Sequence, residues 1–199
     1  MMELPDIIPD VKDFINKLLG PSSEEVGLWL GEKVRFFRLK SSIKVFKRAK
    51  QKLKEAGFTE PKPINLKTLI PLLEYCSLEN EDKNLIEKWA GLLASACSSG
   101  LKLNAYPYIL NQLSSVEAIF LDSLYANYDN TIRELKSMSD NNLNEISIHI
   151  DNLIRLGLCR SLLATHVGSG PGGYEVFYEH VELTPLGRDF IKACKGPNK

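Results

Sequence analysis

Apolar residues recur every three or four positions through most of the chain up to Gly157, the period of helices that each bury one stripe. Val11, Phe14, Ile15, Leu18 and Leu19 form the first stripe, from Asp10 to Leu19, and Gly20-Pro21 ends it. Ser23, Glu25 and Val26 open a second helical stretch in which Val26, Leu30, Val34 and Phe37 keep the period, with a break near Gly31. Phe36, Leu39, Ile43, Phe46 and Leu53 then mark one side of a further helix that Gly57 caps. After Pro61 and Pro63, Asn65 reads as the N-cap of a helix carrying Leu66, Leu69, Ile70, Leu72 and Leu73. Pro71 inside it lacks a backbone donor and is expected to kink or shorten the helix near Lys67 to Ile70. A polar, acidic turn from Ser77 to Asp82 feeds a helix to about Ala96, with Leu85, Trp89, Leu92, Leu93 and Ala96 inward and Trp89 as a core anchor. Pro107 fits the first turn of a short helix with Ile109, Leu110 and Leu113.

The last third changes pattern. Ser114-x-x-Glu117 is a capping box ahead of Ala118, Ile119, Leu121, Leu124 and Tyr125, and a second helical piece follows from Thr131 to Met138. Leu143, Ile146, Ile150, Leu153, Ile154 and Leu156 mark a third helix that closes at Gly157. Leu158 to Val167 reads as a strand, Gly168 to Gly173 as a turn, and Tyr174 to Leu183 as the returning strand of a hairpin. Thr184-Pro185 then restarts a helix through Leu186, Phe190 and Ile191. The predicted fold is mainly α (α+β): a helical domain over 1–112, followed by a winged-helix-like domain over 113–199 with one β-hairpin. Leu183-Thr184-Pro185-Leu186-Gly187 resembles the segment that follows the wing in winged-helix proteins.

Composition narrows the class. With 199 residues, 44% hydrophobic and 25% charged, the chain has enough apolar side chains for one large or two small cores. It holds no run of apolar residues long enough to cross a membrane, and Glu3, Asp6 and Asp10 are foreign to a secretion signal, so a cytoplasmic protein is expected. Cys76, Cys97, Cys159 and Cys194 form no C-x-x-C pair, which leaves neither a zinc motif nor a disulfide framework.

Charge is distributed unevenly. From Lys33 to Lys54 there are ten lysines and arginines and no carboxylate; in a chain with 25 basic and 25 acidic residues, the other 177 positions therefore sum to −10. Lys33, Lys40, Lys47 and Lys54 are seven apart and line one helix edge, with Lys44 and Arg48 on the same side. These six are the candidate contacts for a polyanion or protein partner. Arg35, Arg38, Lys50 and Lys52 fall nearer the apolar boundary, where their stems can cover hydrophobic neighbours. Nucleic-acid phosphates, an acidic protein and, behind them, an anionic membrane surface all suit such an edge. The alternative is a solvated face, or one answered internally by Glu74, Glu79, Glu81, Asp82 or Glu87. The absence of aromatic residues from the edge speaks against a single-strand stacking groove.

In DNA-binding winged helices the third helix enters the major groove and the wing touches phosphates. Here Asn144, His149, Asn152 and Arg155 are the candidate base-reading side chains, on what is otherwise an ordinary solvated face. From Ser115 to Lys199 eight basic residues face eleven acidic ones, and the predicted wing has no lysine or arginine, which favours protein interaction or self-association over DNA. Catalysis fares no better. His149, His166 and His180 match no metal-binding spacing; His166 and His180 approach across the hairpin only as a pair without a third ligand. No phosphate loop, nucleophile elbow or dinucleotide turn is present, so no cofactor, metal or small-molecule substrate is called for.

A family resemblance runs through the same residues. Leu19-Gly20-Pro21, Glu25-Val26-Gly27 and Val34-Arg35-Phe36-Phe37-Arg38-Leu39-Lys40 resemble the start of the abortive-infection alpha family of bacterial proteins. Pro61-Lys62-Pro63-Ile64, Leu72-Leu73-Glu74, Ser77-Leu78-Glu79, Trp89-Ala90-Gly91-Leu92-Leu93-Ala94 and Leu113-Ser114 continue the likeness over about residues 12 to 125. Gly91 departs from it, since the family pattern tends to a polar residue such as Asn there. The resemblance implies a part in defence against phage and carries over no catalytic residue or ligand. The combined expectation is a noncatalytic defence protein that binds a macromolecule through the basic helix. The alternatives are a winged-helix DNA-binding regulator and an effector enzyme with an unrecognised site.

Overall fold

The structure, a computed structural model, describes residues 9–20, 39–78, 82–126, 143–169 and 173–197; of these, 9–12, 39–41, 143–145, 162–169 and 173–180 are described at the backbone only. The described residues are mostly helical with one antiparallel hairpin. They fall into two compact units, Met1–Gln112 with Ala193–Lys199, and Leu113–Lys192. The expected helical stretch from Ser23 to Phe37 and the piece from Thr131 to Met138 lie outside the described residues.

In the first unit, α1 (Pro9–Leu19) is followed by α2 (Leu39–Glu55), α3 (Leu66–Cys76), α4 (Lys83–Ala96) and the short α5 (Tyr106–Leu110). The apolar stripes converge as their spacing requires: Phe14 and Leu18 of α1, Val45, Phe46, Ala49 and Leu53 of α2, Leu69 and Leu72 of α3, and Trp89, Leu92 and Leu93 of α4 are all buried. Phe14 meets Phe46 edge-on at 6.4 Å between ring centroids. Asn65 Oδ1 accepts from Lys67 N at 2.9 Å, so the expected N-cap forms, and Asp82 Oδ1 caps α4 in the same way, accepting from Asn84 N and Leu85 N at 2.8 and 3.1 Å. Gly57, at φ 84°, closes α2 with paired bonds from Gly57 N to Lys54 O and Phe58 N to Leu53 O.

Pro71 does not shorten its helix. α3 continues through it to Cys76, with Pro71 itself buried. The carbonyl that loses a donor belongs to Lys67, an exposed residue where water can substitute, while the buried stripe on either side holds the helix together.

The second unit holds α6 (Ser115–Ala126), α7 (Leu143–Arg155), β1 (Cys159–Ser169), β2 (Gly173–Leu183) and α8 (Pro185–Lys195) as far as Lys192. Its core is built from Phe120, Leu121, Ile146, Ile150, Leu153, Leu158, Val181, Leu183, Phe190 and Ile191. Gly157 ends α7 as Gly57 ends α2, with Gly157 N bonded to Ile154 O and Leu158 N to Leu153 O. The strands pair antiparallel from Cys159 with Leu183 to Ser169 with Gly173, with irregularities between Ser161 and Ala164. Thr184 ties the hairpin to α8: its hydroxyl donates to Gly157 O at 2.6 Å and accepts from Gly187 N at 2.9 Å.

Candidate polyanion-binding face

α2 packs chiefly along α4, and the contact sorts its side chains into three zones. Ser42, Val45, Phe46, Ala49 and Leu53 point inward and are buried. Beside them, Arg48 and Lys52 turn to Glu87 of α4. Arg48 Nε donates to Glu87 Oε1 at 2.5 Å, and Lys52 Nζ lies 3.1 Å from Glu87 Oε2. Arg48 also sits 3.5 Å from Glu55, which accepts a further bond from Gln51 at 2.8 Å. Burial alone would raise the Glu87 carboxyl, but the hydrogen bonds and charges of Arg48 and Lys52 outweigh it and hold the group below the usual carboxylate range. The bond to Glu87 in turn raises the Arg48 guanidinium above its ordinary value.

Lys52 also donates to Lys195 O at 3.3 Å, and Ser95 Oγ donates to Ala193 O at 2.8 Å. Two carbonyls in the last turn of α8 thus accept from side chains of α2 and α4, Ala193 O in addition to the bond it takes from Gly196 N. Gly91 of α4 lies so close to the same segment that a Cβ there would stand 1.8 Å from Cys194 O. A polar side chain has no room at this turn, which accounts physically for the glycine.

The third zone is the outer edge. Lys44, Lys47 and Lys54 are exposed and make no ion pair among the described residues. Of the six candidate contacts, these three are brought together on one open edge and Arg48 is turned aside to Glu87. Lys40 lies on the same helix, seven residues before Lys47, with only its backbone described, and Lys33 lies outside the described residues.

The candidates on α7 fare differently. Glu117, at the third position of α6, closes the expected capping box: Oε2 accepts from Ser114 N at 2.7 Å, while Glu117 N donates to Ser114 Oγ at 3.2 Å. Its other oxygen receives Asn152 Nδ2 at 2.8 Å and lies 3.4 Å from His149 Nδ1, and the residue is only 3% exposed. Asn152 Oδ1 in turn accepts from Arg155 Nη2 at 2.7 Å. His149 and Asn152 therefore face a buried carboxylate. For Asn144 only the backbone is described. Glu117 is legible in the sequence as a cap, but its contact with α7 is not. The three-residue spacing of His149 and Asn152, which puts both on one helix face, was the available signal.

Other chemistry is sparse. All four cysteines are buried and free, and burial pushes the Cys76, Cys97 and Cys159 thiols up to about 12, far from thiolates at neutral pH. Across the hairpin, His166 pairs with Val176 and His180 with Leu163, so the two histidines are not register partners. Among the described residues no group of three or more His, Cys, Asp or Glu is placed to hold a metal ion, and no helix is long and apolar enough to cross a membrane.

The family model for abortive infection alpha matches residues 38–194, from the start of α2 almost to the end of α8. The chain belongs to the abortive infection alpha family. The match begins later than the resemblance legible in the motifs and extends beyond it through the hairpin and α8. Membership ties the chain to abortive infection, a defence against phage, and it places α2, with its lysine edge, inside the family's own segment. No curated protein and no solved structure matches the chain.

Proposed function

We propose that this member of the family acts in phage defence without catalysis, by engaging a polyanionic macromolecule through the open edge of α2. The observation that carries the reading is the division of the basic helix: Arg48 and Lys52 are occupied by Glu87, whereas Lys44, Lys47 and Lys54 project into solvent. If internal neutralisation were the whole purpose of the basic segment, the outer edge would not need three lysines that make no ion pair among the described residues, from which Glu79 and Glu81 are excluded. The winged-helix-like second unit serves protein interaction or self-association in this reading. Its acidic balance, and the engagement of His149 and Asn152 with Glu117, speak against groove reading by α7.

The test is the triple variant Lys44→Glu, Lys47→Glu, Lys54→Glu, made in the full chain and assayed for plaque reduction in cells. Loss of protection is expected, with an unchanged circular dichroism spectrum and melting temperature. A folded variant that still protects would overturn the proposal.

A further inference from the structure

We infer that the partner of the lysine edge is double-stranded nucleic acid, held by its phosphates without readout of sequence; this rests on the proposed use of the edge for a polyanion. The packing of α2 separates the possible polyanions. An amphipathic helix holds a membrane by sinking its apolar face below the headgroups, but Val45, Phe46, Ala49 and Leu53 are consumed by the core. Lysines alone, at about 1 kcal/mol each near an anionic surface, do not replace that face. Protein interfaces have the opposite composition to this edge: their cores are rich in aromatic anchors and poor in lysine, whereas Lys44, Lys47, Gln51 and Lys54 offer no aromatic side chain. Single strands are gripped by stacking bases on aromatic rings, and Phe46, the aromatic residue of α2, is buried against Phe14.

Duplex phosphates ask only for spaced cations. At about 1.5 Å of rise per residue, Lys44 to Lys54 covers about 15 Å along the helix. The same length of duplex presents on the order of nine phosphate charges over both strands. Glu55, the one carboxylate of α2, is drawn to Arg48 and Gln51. The lysines also lack the fixed fork that reads guanine, which matches backbone contact rather than base contact.

The experiment is fluorescence anisotropy of the full chain against a short labelled DNA duplex of scrambled sequence, the corresponding RNA duplex, a single strand, polyglutamate and phosphatidylserine vesicles, repeated over a salt series. Duplex binding in preference to the other probes is expected, with a slope of log K on log salt near −3 for three phosphate contacts, because each contributes about −0.9. The Lys44→Glu, Lys47→Glu, Lys54→Glu variant should bind on the order of 100-fold more weakly. A control of equal charge change, Lys62→Glu, Lys67→Glu, Lys83→Glu, at exposed sites off α2, should retain most of the affinity. Equal or tighter binding to single strand, polyglutamate or vesicles would overturn the inference, as would a control as weak as the edge variant. If no duplex is bound while the edge variant still loses phage protection, the nucleic-acid inference fails and the proposed function stands with a different partner. If the edge variant protects, both fail.

Discussion

At Gly91 an absent side chain lets two helix backbones touch. Alanine is the better helix former by about 1 kcal/mol, so on propensity alone Gly91→Ala should stabilise α4. The contact reverses the sign, because a Cβ would meet the Cys194 carbonyl at 1.8 Å and that oxygen is backbone. We expect Gly91→Ala to lower the stability to urea denaturation by about 2 kcal/mol or more. A midpoint unchanged or raised would mean that the approach is loose. Glu117 makes the complementary case, a buried carboxylate with donors on both oxygens. Glu117→Ala removes a cap and takes the carboxylate away from Asn152 Nδ2, and about 2–3 kcal/mol should be lost in the same assay. Replacing only the cap hydroxyl, by Ser114→Ala, should cost about 1 kcal/mol. The cap was legible from Ser114-x-x-Glu117, but the link to α7 joins residues 35 apart and depended on how the helices pack.

At the scale of the element, α2 does three jobs on three sides: packing inward, pairing with α4, and presenting lysines to solvent. These should separate energetically. Phe46→Ala is expected to cost about 3–5 kcal/mol, as for a buried aromatic. A double-mutant cycle on Arg48→Ala and Glu87→Ala should return only about 0.5–1 kcal/mol of coupling, since both side chains are partly exposed. That coupling has a definite pH sign. The Glu87 carboxyl is depressed in the folded state, so its contribution is complete above the unfolded carboxylate value of about 4.3 and disappears as pH falls through the lower folded value. Cycles at pH 7 and near pH 3 would show this, and equal coupling at both would contradict it. The inward face of α2 was legible from Phe46 and Leu53 at helical spacing. The side that meets α4 was not, because Arg48 and Lys52 differ from Lys44 and Lys47 only in direction around the helix.

At the scale of the whole molecule, a chain of zero formal charge concentrates ten basic residues between Lys33 and Lys54, and both units bury their thiols. Cys76, Cys97, Cys159 and Cys194 are spread over both units and are all buried, so the native protein should react very slowly with a thiol reagent at pH 7. All four should react once guanidinium unfolds the chain. Rapid labelling of any of them under native conditions would show that its burial is transient.

The amino-acid sequence by itself determined the described helices, the caps at Asn65, Gly57 and Ser114, and the hairpin, because these follow from neighbours within a few residues: period and turn chemistry. It also carried the family likeness in short, ordered motifs. Tertiary structure alone decided that Pro71 leaves α3 unbroken, that Gly91 makes room for the Cys194 carbonyl, and that Glu117 reaches Asn152. It also turned Arg48 and Lys52 of α2 to Glu87 and left Lys44, Lys47 and Lys54 exposed. Each of these outcomes depends on which distant segment comes to lie alongside, and local periodicity says that a face will be covered without naming what covers it.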